Sequence, residues 1–326
     1  MGGFKRPVRR GLVLLGLVPA ASSCTGADGP CSGLPDPVTL LDEAAALGIG
    51  HPGVYDLAVD RDYVYWSDYS AGKIRRVDKA GAGATTLADA AEPTNIAVDD
   101  QYVYWINVRG GVRLMPKSGG GIVEVSPDLP CESGNCSGPL AIDDATIYWF
   151  DRSRVMSKPK AGGAPVLIDT PALSSFSDLA VDNQSIYWVS VVPQDGLLIP
   201  RYAIQATPKA GGRSRMLADF DQRWGEAALD DRNLYIARPD GVWRVRKDGS
   251  GTGRMASAPL EPRNIATDGV HVFVAERDKV FSVPVSGGEL TPIGCDQVGA
   301  TYRMVVDESA VYWTDPDAET ILALPK

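Results

Sequence analysis

The chain has 326 residues, 44% of them hydrophobic and 22% charged, and its 32 basic and 41 acidic side chains give a formal charge of −9. That acid excess argues against nucleic acid or an anionic membrane surface as the partner. Only 2 histidines and 5 cysteines are present, which leaves little material for histidine-based catalysis or a zinc site.

Lys5, Arg6, Arg9 and Arg10 precede the apolar run Gly11-Leu-Val-Leu-Leu-Gly-Leu-Val18, and the small residues Ala20 to Ser23 follow. This is the layout of a signal peptide over residues 1–23, and the run is too short to span a bilayer. Cys24 follows Ala-Ser-Ser and resembles the cysteine of a bacterial lipobox, with Ala21 where that motif usually has Leu. Lipidation at Cys24 is the first reading, and plain cleavage near Ala20 to Ser23 is the alternative. The mature chain then carries 28 basic against 41 acidic side chains, a formal charge of −13. It is expected to be exported, touching a membrane only through a lipid anchor. Residues 24–36 read as a linker and residues 37–326 as the folded domain.

From Val54 onward one unit repeats. Seven times an apolar run ends in Asp, at Asp60, Asp99, Asp143, Asp182, Asp230, Asp268 and Asp307, spaced by 39, 44, 39, 48, 38 and 39 residues. Five residues on stands Tyr65, Tyr104, Tyr148, Tyr187, Tyr235, Phe273 or Tyr312, followed by Trp in five copies. The first unit contains four strand-like runs, VYDLAVD, YVYWSD, KIRRVD and ATTLA, with no helical periodicity. Gly-rich turns such as Lys117-Ser-Gly-Gly, Lys160-Ala-Gly-Gly and Lys209-Ala-Gly-Gly follow the third run and supply the positive φ that hairpins need. Four strands repeating at this period predict an all-β, seven-bladed β-propeller with four antiparallel strands, A to D, per blade.

The last unit stops at Lys326 without a fourth strand, while Pro37-Val-Thr-Leu-Leu41 reads like the other fourth strands. The N-terminal strand is therefore expected to complete the last blade, which leaves no unpaired terminal blade. Small residues stand two before each Asp: Ala58, Ala97, Ala141, Ala180, Ala228, Ala266 and Val305. They suit inner strands crowding the axis. The Tyr-Trp pairs read as blade-to-blade core or as an aromatic platform, and the repeated Asp as a cap of the A-to-B turn.

With Cys24 lipidated, Cys31, Cys131, Cys136 and Cys295 form an even set that an oxidising compartment lets pair. Cys131 and Cys136 share one loop, which points to a local disulfide. Cys31 lies just before the closing strand and Cys295 in the linker from blade six to blade seven, so a bridge between them would pin the closure by ~2–4 kcal/mol. Zinc is the alternative use of these thiols, although no His or second Cys pair lies beside them.

In propeller topology the A-to-B and C-to-D turns emerge on one face, where this sequence is short and uniform. The B-to-C and D-to-A connections emerge on the other, where it varies: the cysteine loop 126–137, the insertion 191–200 and the linkers 169–177 and 219–225. Variable loops on a regular scaffold are where function is expected. Four residues before each Asp stand Asp56, Asn95, Pro139, Asp178, Glu226, Asn264 and Arg303, which should ring the channel mouth on this face, flanked by Tyr55, Arg263, Tyr302 and Trp224. That ring reads either as a solvated channel entrance or as a site for a peptide, a sugar or a cation-bearing small molecule. Leu197, Leu198 and Ile199 form a second candidate, an apolar patch for a protein partner.

Tyr65-Trp66-Ser67-Asp68 and Tyr312-Trp313-Thr314-Asp315, each after an apolar run ending in Asp, resemble the YWTD repeats of the low-density lipoprotein receptor family of propellers. The pattern covers residues 54–326 and degenerates in the middle, at Tyr235-Ile-Ala-Arg and Phe273-Val-Ala-Glu. That family usually has six blades, so seven is a departure. The resemblance implies a non-catalytic binding module and transfers no binding residue; a monomer is expected. The competing class is an enzyme, since seven-bladed propellers also host lyases and lactonases. A metal held by Asp56, Asp178 and Glu226 would suit calcium or magnesium. No Ser-His-Asp arrangement or phosphate loop is present, His51 and His271 fall on opposite faces, and no cofactor is expected.

Overall fold

The computed structural model describes residues 34–42, 54–81, 83–130, 136–171, 175–192, 201–220, 227–258, 260–276, 279–295, 303–315 and 320–326. Its strands form seven four-stranded antiparallel sheets arranged as a seven-bladed propeller. In blade one the strands are Val54–Val59, Tyr63–Asp68, Lys73–Asp78 and Ala84–Asp89. Blade seven is closed by the N-terminal strand: Val38–Asp42 pairs antiparallel with Thr320–Pro325, matching Val38 to Ala323 and Asp42 to Thr320.

The core lies between blades. Each of the seven apolar clusters joins side chains of two neighbouring blades, and period-2 alternation along strand B explains how. Tyr65 packs into the cluster shared by blades one and two, whereas Trp66, pointing the other way, packs into the cluster shared by blades seven and one. Every blade thus sends its Tyr or Phe forward and the residue after it backward, Trp in five blades and Ile236 or Val274 in the other two, and the Tyr-Trp pairs are core rather than an aromatic platform. Trp66, Trp105, Trp149, Trp188 and Trp313 are all fully buried. Each such ring covers ~150–250 Å², or roughly 4–6 kcal/mol of gross burial.

The small residue of strand A has a local reason as well. Ala58 lies opposite Tyr65, Ala97 opposite Tyr104, Ala141 opposite Tyr148 and Ala228 opposite Tyr235 in the ladder. A larger side chain there would compete with the aromatic ring for the same space. The repeated Asp caps its turn: one oxygen of Asp60 accepts the N–H groups of Asp62 (2.9 Å) and Tyr63 (2.8 Å), while the other accepts the Tyr65 hydroxyl (2.7 Å).

The Lys just after strand C in six blades does something the sequence did not suggest. Lys117 of blade two reaches back to Asp60 of blade one (2.5 Å), Lys160 to Asp99 (2.6 Å), Lys247 to Asp182 (2.8 Å) and Lys326 to Asp268 (2.6 Å), while Lys209 bonds Asp143 and Lys79 bonds Asp307. Each ammonium also lies over the aromatic ring it faces, as Lys247 does over Tyr187 at 5.1 Å. Burial pushes the Asp182 carboxyl up, but the Lys247 ammonium, two backbone amides and the Tyr187 hydroxyl outweigh it and hold Asp182 down to about 2. Tyr187, buried and bonded to that carboxylate, is pushed up to about 12.

Candidate functional site

The inner strands enclose a central channel of about 380 Å³ lined by Asp56, Asn95, Pro139, Asp178 and Arg303. Four of these polar side chains tie blades together as well as facing the channel. Asp56 accepts the N–H of Leu57 (2.8 Å) in its own strand and that of Ile96 (2.9 Å) in blade two. Asp178 does the same for Leu179 (2.8 Å) and for Ala227 (2.9 Å) in blade five. Arg303 of blade seven donates through Nε to Asp56 (2.9 Å). In the amide orientation that satisfies both of its ends, Asn95 accepts from Arg303 Nη2 (2.8 Å) and donates to the Gly138 carbonyl (3.1 Å). One guanidinium therefore links blades seven, one and two on the face opposite the lysine clasps.

Burial pushes the carboxyls of Asp56 and Asp178 up; the nearby Arg303 charge and the backbone N–H donors pull each partly back. Asn264 is 2% exposed and bonds the N–H of Ile265 (3.0 Å), so it belongs to the packed wall behind the channel. Tyr55 is 42% exposed on the rim, its ring 6.1 Å from that of Tyr69. Arg263 is exposed. Glu226, Trp224 and Tyr302 lie outside the described residues, as do Leu197, Leu198 and Ile199. Among the described residues no group of three or more His, Cys, Asp or Glu side chains could hold a metal ion.

The loop face has one built feature. Residues 126–130 and 136–138 lie back against blade two, with the Leu129 N–H on the Arg109 carbonyl (2.8 Å) and the Cys136 N–H on the Val108 carbonyl (2.7 Å). Asp128 accepts from Asn107 Nδ2 and Arg113 Nη2, both at 2.9 Å. Cys136 is disulfide-bonded, while Cys24, Cys31 and Cys131 fall outside the described residues. Cys295 ends strand D of blade six, opposite Lys279, rather than lying in the following linker. His271 opens strand B of blade six, its N–H on Asp268 (2.7 Å), on the clasp face.

No protein-family profile and no curated protein matches this sequence. Among solved structures, the chain is similar to a catalytically inactive virginiamycin B lyase from Staphylococcus aureus with quinupristin (14% identity, 89% of this chain and 98% of that one, TM-score 0.65). It is also similar to BamB from Moraxella catarrhalis (14%, 84% and 85%, TM-score 0.55) and to a gluconolactonase from Xanthomonas campestris (16%, 89% and 89%, TM-score 0.54). At these identities the likeness is one of fold, a propeller scaffold found in enzymes and non-enzymes alike.

Proposed function

We propose that this chain is an exported, lipid-anchored propeller that acts as a non-catalytic binding or scaffold module through its variable loop face. The observation that carries the reading is how the channel carboxylates are used. Both oxygens of Asp56 and of Asp178 accept backbone N–H groups, two of them across a blade joint, and Asp56 also holds Arg303. A general base or metal ligand directs a lone pair at a reactant, whereas here each oxygen already directs one at the scaffold. The loop face, by contrast, carries the lengths and side chains that differ from blade to blade, including the Tyr55 and Tyr69 rings, of the kind that protein and peptide partners engage.

The second reading, a metal-dependent lyase or hydrolase, draws on the same channel: buried carboxyls pushed up in a cavity are a recurring mark of acid–base sites. The two separate by experiment. Photo-crosslinkers placed at Tyr69 and at Asp144 sample the loop and clasp faces in turn. The binding reading expects a crosslinked partner from Tyr69 only; equal labelling from both faces, or none from Tyr69, would refute it.

A further inference from the structure

We infer that the ring opens at one joint, between blades five and six, and that the channel gains a lateral entrance there. The internal repeats supply the comparison. Six joints carry a lysine from one blade bonded to the turn aspartate of the blade before it. At the remaining joint the lysine position is Val285, which packs into the apolar cluster around Tyr235. Asp230 there is bonded by the N–H groups of Arg232 and Asn233 (both 2.7 Å), by Asn233 Nδ2 (3.5 Å) and by the Tyr235 hydroxyl (2.5 Å), and among the described residues by no ammonium.

The rest of the joint is kept. Arg76 Nη1 donates to the Lys117 carbonyl (3.1 Å) between blades one and two, and Arg244 Nη1 donates to the Val285 carbonyl (3.3 Å) between blades five and six. The backbones therefore meet in the same way, without the charge. On the clasp face a neutral bond from the Gly288 N–H to the Met255 carbonyl (3.1 Å) crosses instead, and neutral bonds are weaker than charge-assisted ones.

The same joint has lost its tryptophan. The backward-pointing residue of strand B is Trp at five joints, Ile236 between blades four and five, and Val274 between blades five and six. The blade four to five joint keeps the Lys247–Asp182 clasp, so the next one alone lacks both devices. Its inner strands, Ala227–Leu229 and Asn264–Thr267, are short and line the channel through Ala228 and Ile265. Local opening selects the joint with the fewest strong bonds, and parting these two strands exposes the channel from the side.

Hydrogen exchange on the mature chain, residues 25–326, read by mass spectrometry, tests this. Strands Asn233–Arg238 and Asn264–Thr267 should exchange about tenfold faster than Tyr102–Asn107 and Leu140–Ile142, their counterparts at the blade two to three joint. Val285→Lys should slow them by about tenfold, and Asp230→Asn should cancel that slowing. Should Val285→Lys fail to fold, Lys247→Val, at the joint where Ile236 already replaces Trp, must transfer fast exchange to the blade four to five joint. Equal protection at all joints, slowing by Val285→Lys that survives Asp230→Asn, or unchanged exchange in Lys247→Val would each overturn the proposal.

Discussion

Replacing Lys247 by Met isolates what one clasp is worth. The Lys247 side chain is 8% exposed and its partner Asp182 23%, the two lie 2.8 Å apart, and the ammonium sits 5.1 Å from the Tyr187 ring centre. Methionine keeps the apolar stem that covers Tyr187, so the change removes charge rather than packing. A hydrogen bond to a charged group contributes about 1.5–3 kcal/mol, and a cation–π contact about 0.5–1 kcal/mol. Asp182 retains the Gln184 and Ser185 amides and the Tyr187 hydroxyl, all at 2.8 Å, which limits the loss. The net expectation is about 2 kcal/mol, or roughly 3 °C in Tm for a domain of this size, measured by urea denaturation and thermal melting. A double-mutant cycle with Asp182→Asn should return about 1.5 kcal/mol of coupling. The pH dependence has a definite sign. Asp182 titrates at about 2 in the fold against 3.8 ordinarily, so the clasp is fully present above pH ~4 and is lost as pH falls toward 2. The gap between wild type and Lys247→Met should close over that window. A cost below about 0.5 kcal/mol with no coupling, as for an ordinary surface ion pair, would refute the reasoning.

Three further outcomes follow from the same contacts. Arg303→Met leaves the buried Asp56 carboxylate without its cation and should cost about 3–5 kcal/mol at neutral pH; because burial already raises Asp56, protonation favours the fold, and the loss should shrink as pH is lowered toward the ordinary 3.8. Trp188→Ala, which empties the blade three to four joint, should cost about 3–5 kcal/mol in urea denaturation, whereas Val274→Ala should cost far less. Cys24→Ser should abolish incorporation of labelled palmitate and release the protein from the membrane fraction; retention of label would place the anchor elsewhere.

The blade count, the four strands per blade and the closure by residues 38–42 were legible because each rests on local pattern: turn glycines, alternation and a fixed period. The role of Asp60 as a turn cap was legible for the same reason, since its partners lie within five residues. Lys117 was not, because its partner is 57 residues earlier in the chain and becomes adjacent only once blades stack. The signal was nonetheless present, as a lysine recurring at one register just after strand C and replaced by Val285 in blade six. Asp56, Asn95, Asp178 and Arg303, which share one register of strand A, line the channel. What those groups bond was not legible, because the choice between solvent, ligand and the next blade's N–H is fixed by the inter-blade spacing. Asn264 shows the limit: equivalent by register, it turns into the wall and is buried.

The most direct test of a non-catalytic loop-face binder is a thermal-shift screen of residues 25–326 against calcium, magnesium, sugars and short peptides, since any ligand of the native state must raise Tm. The account predicts no metal-dependent rise in the wild type, and no difference in metal response for Asp178→Asn combined with Glu226→Gln. A rise with calcium or magnesium that disappears in that double variant would contradict it and establish the channel as a metal site.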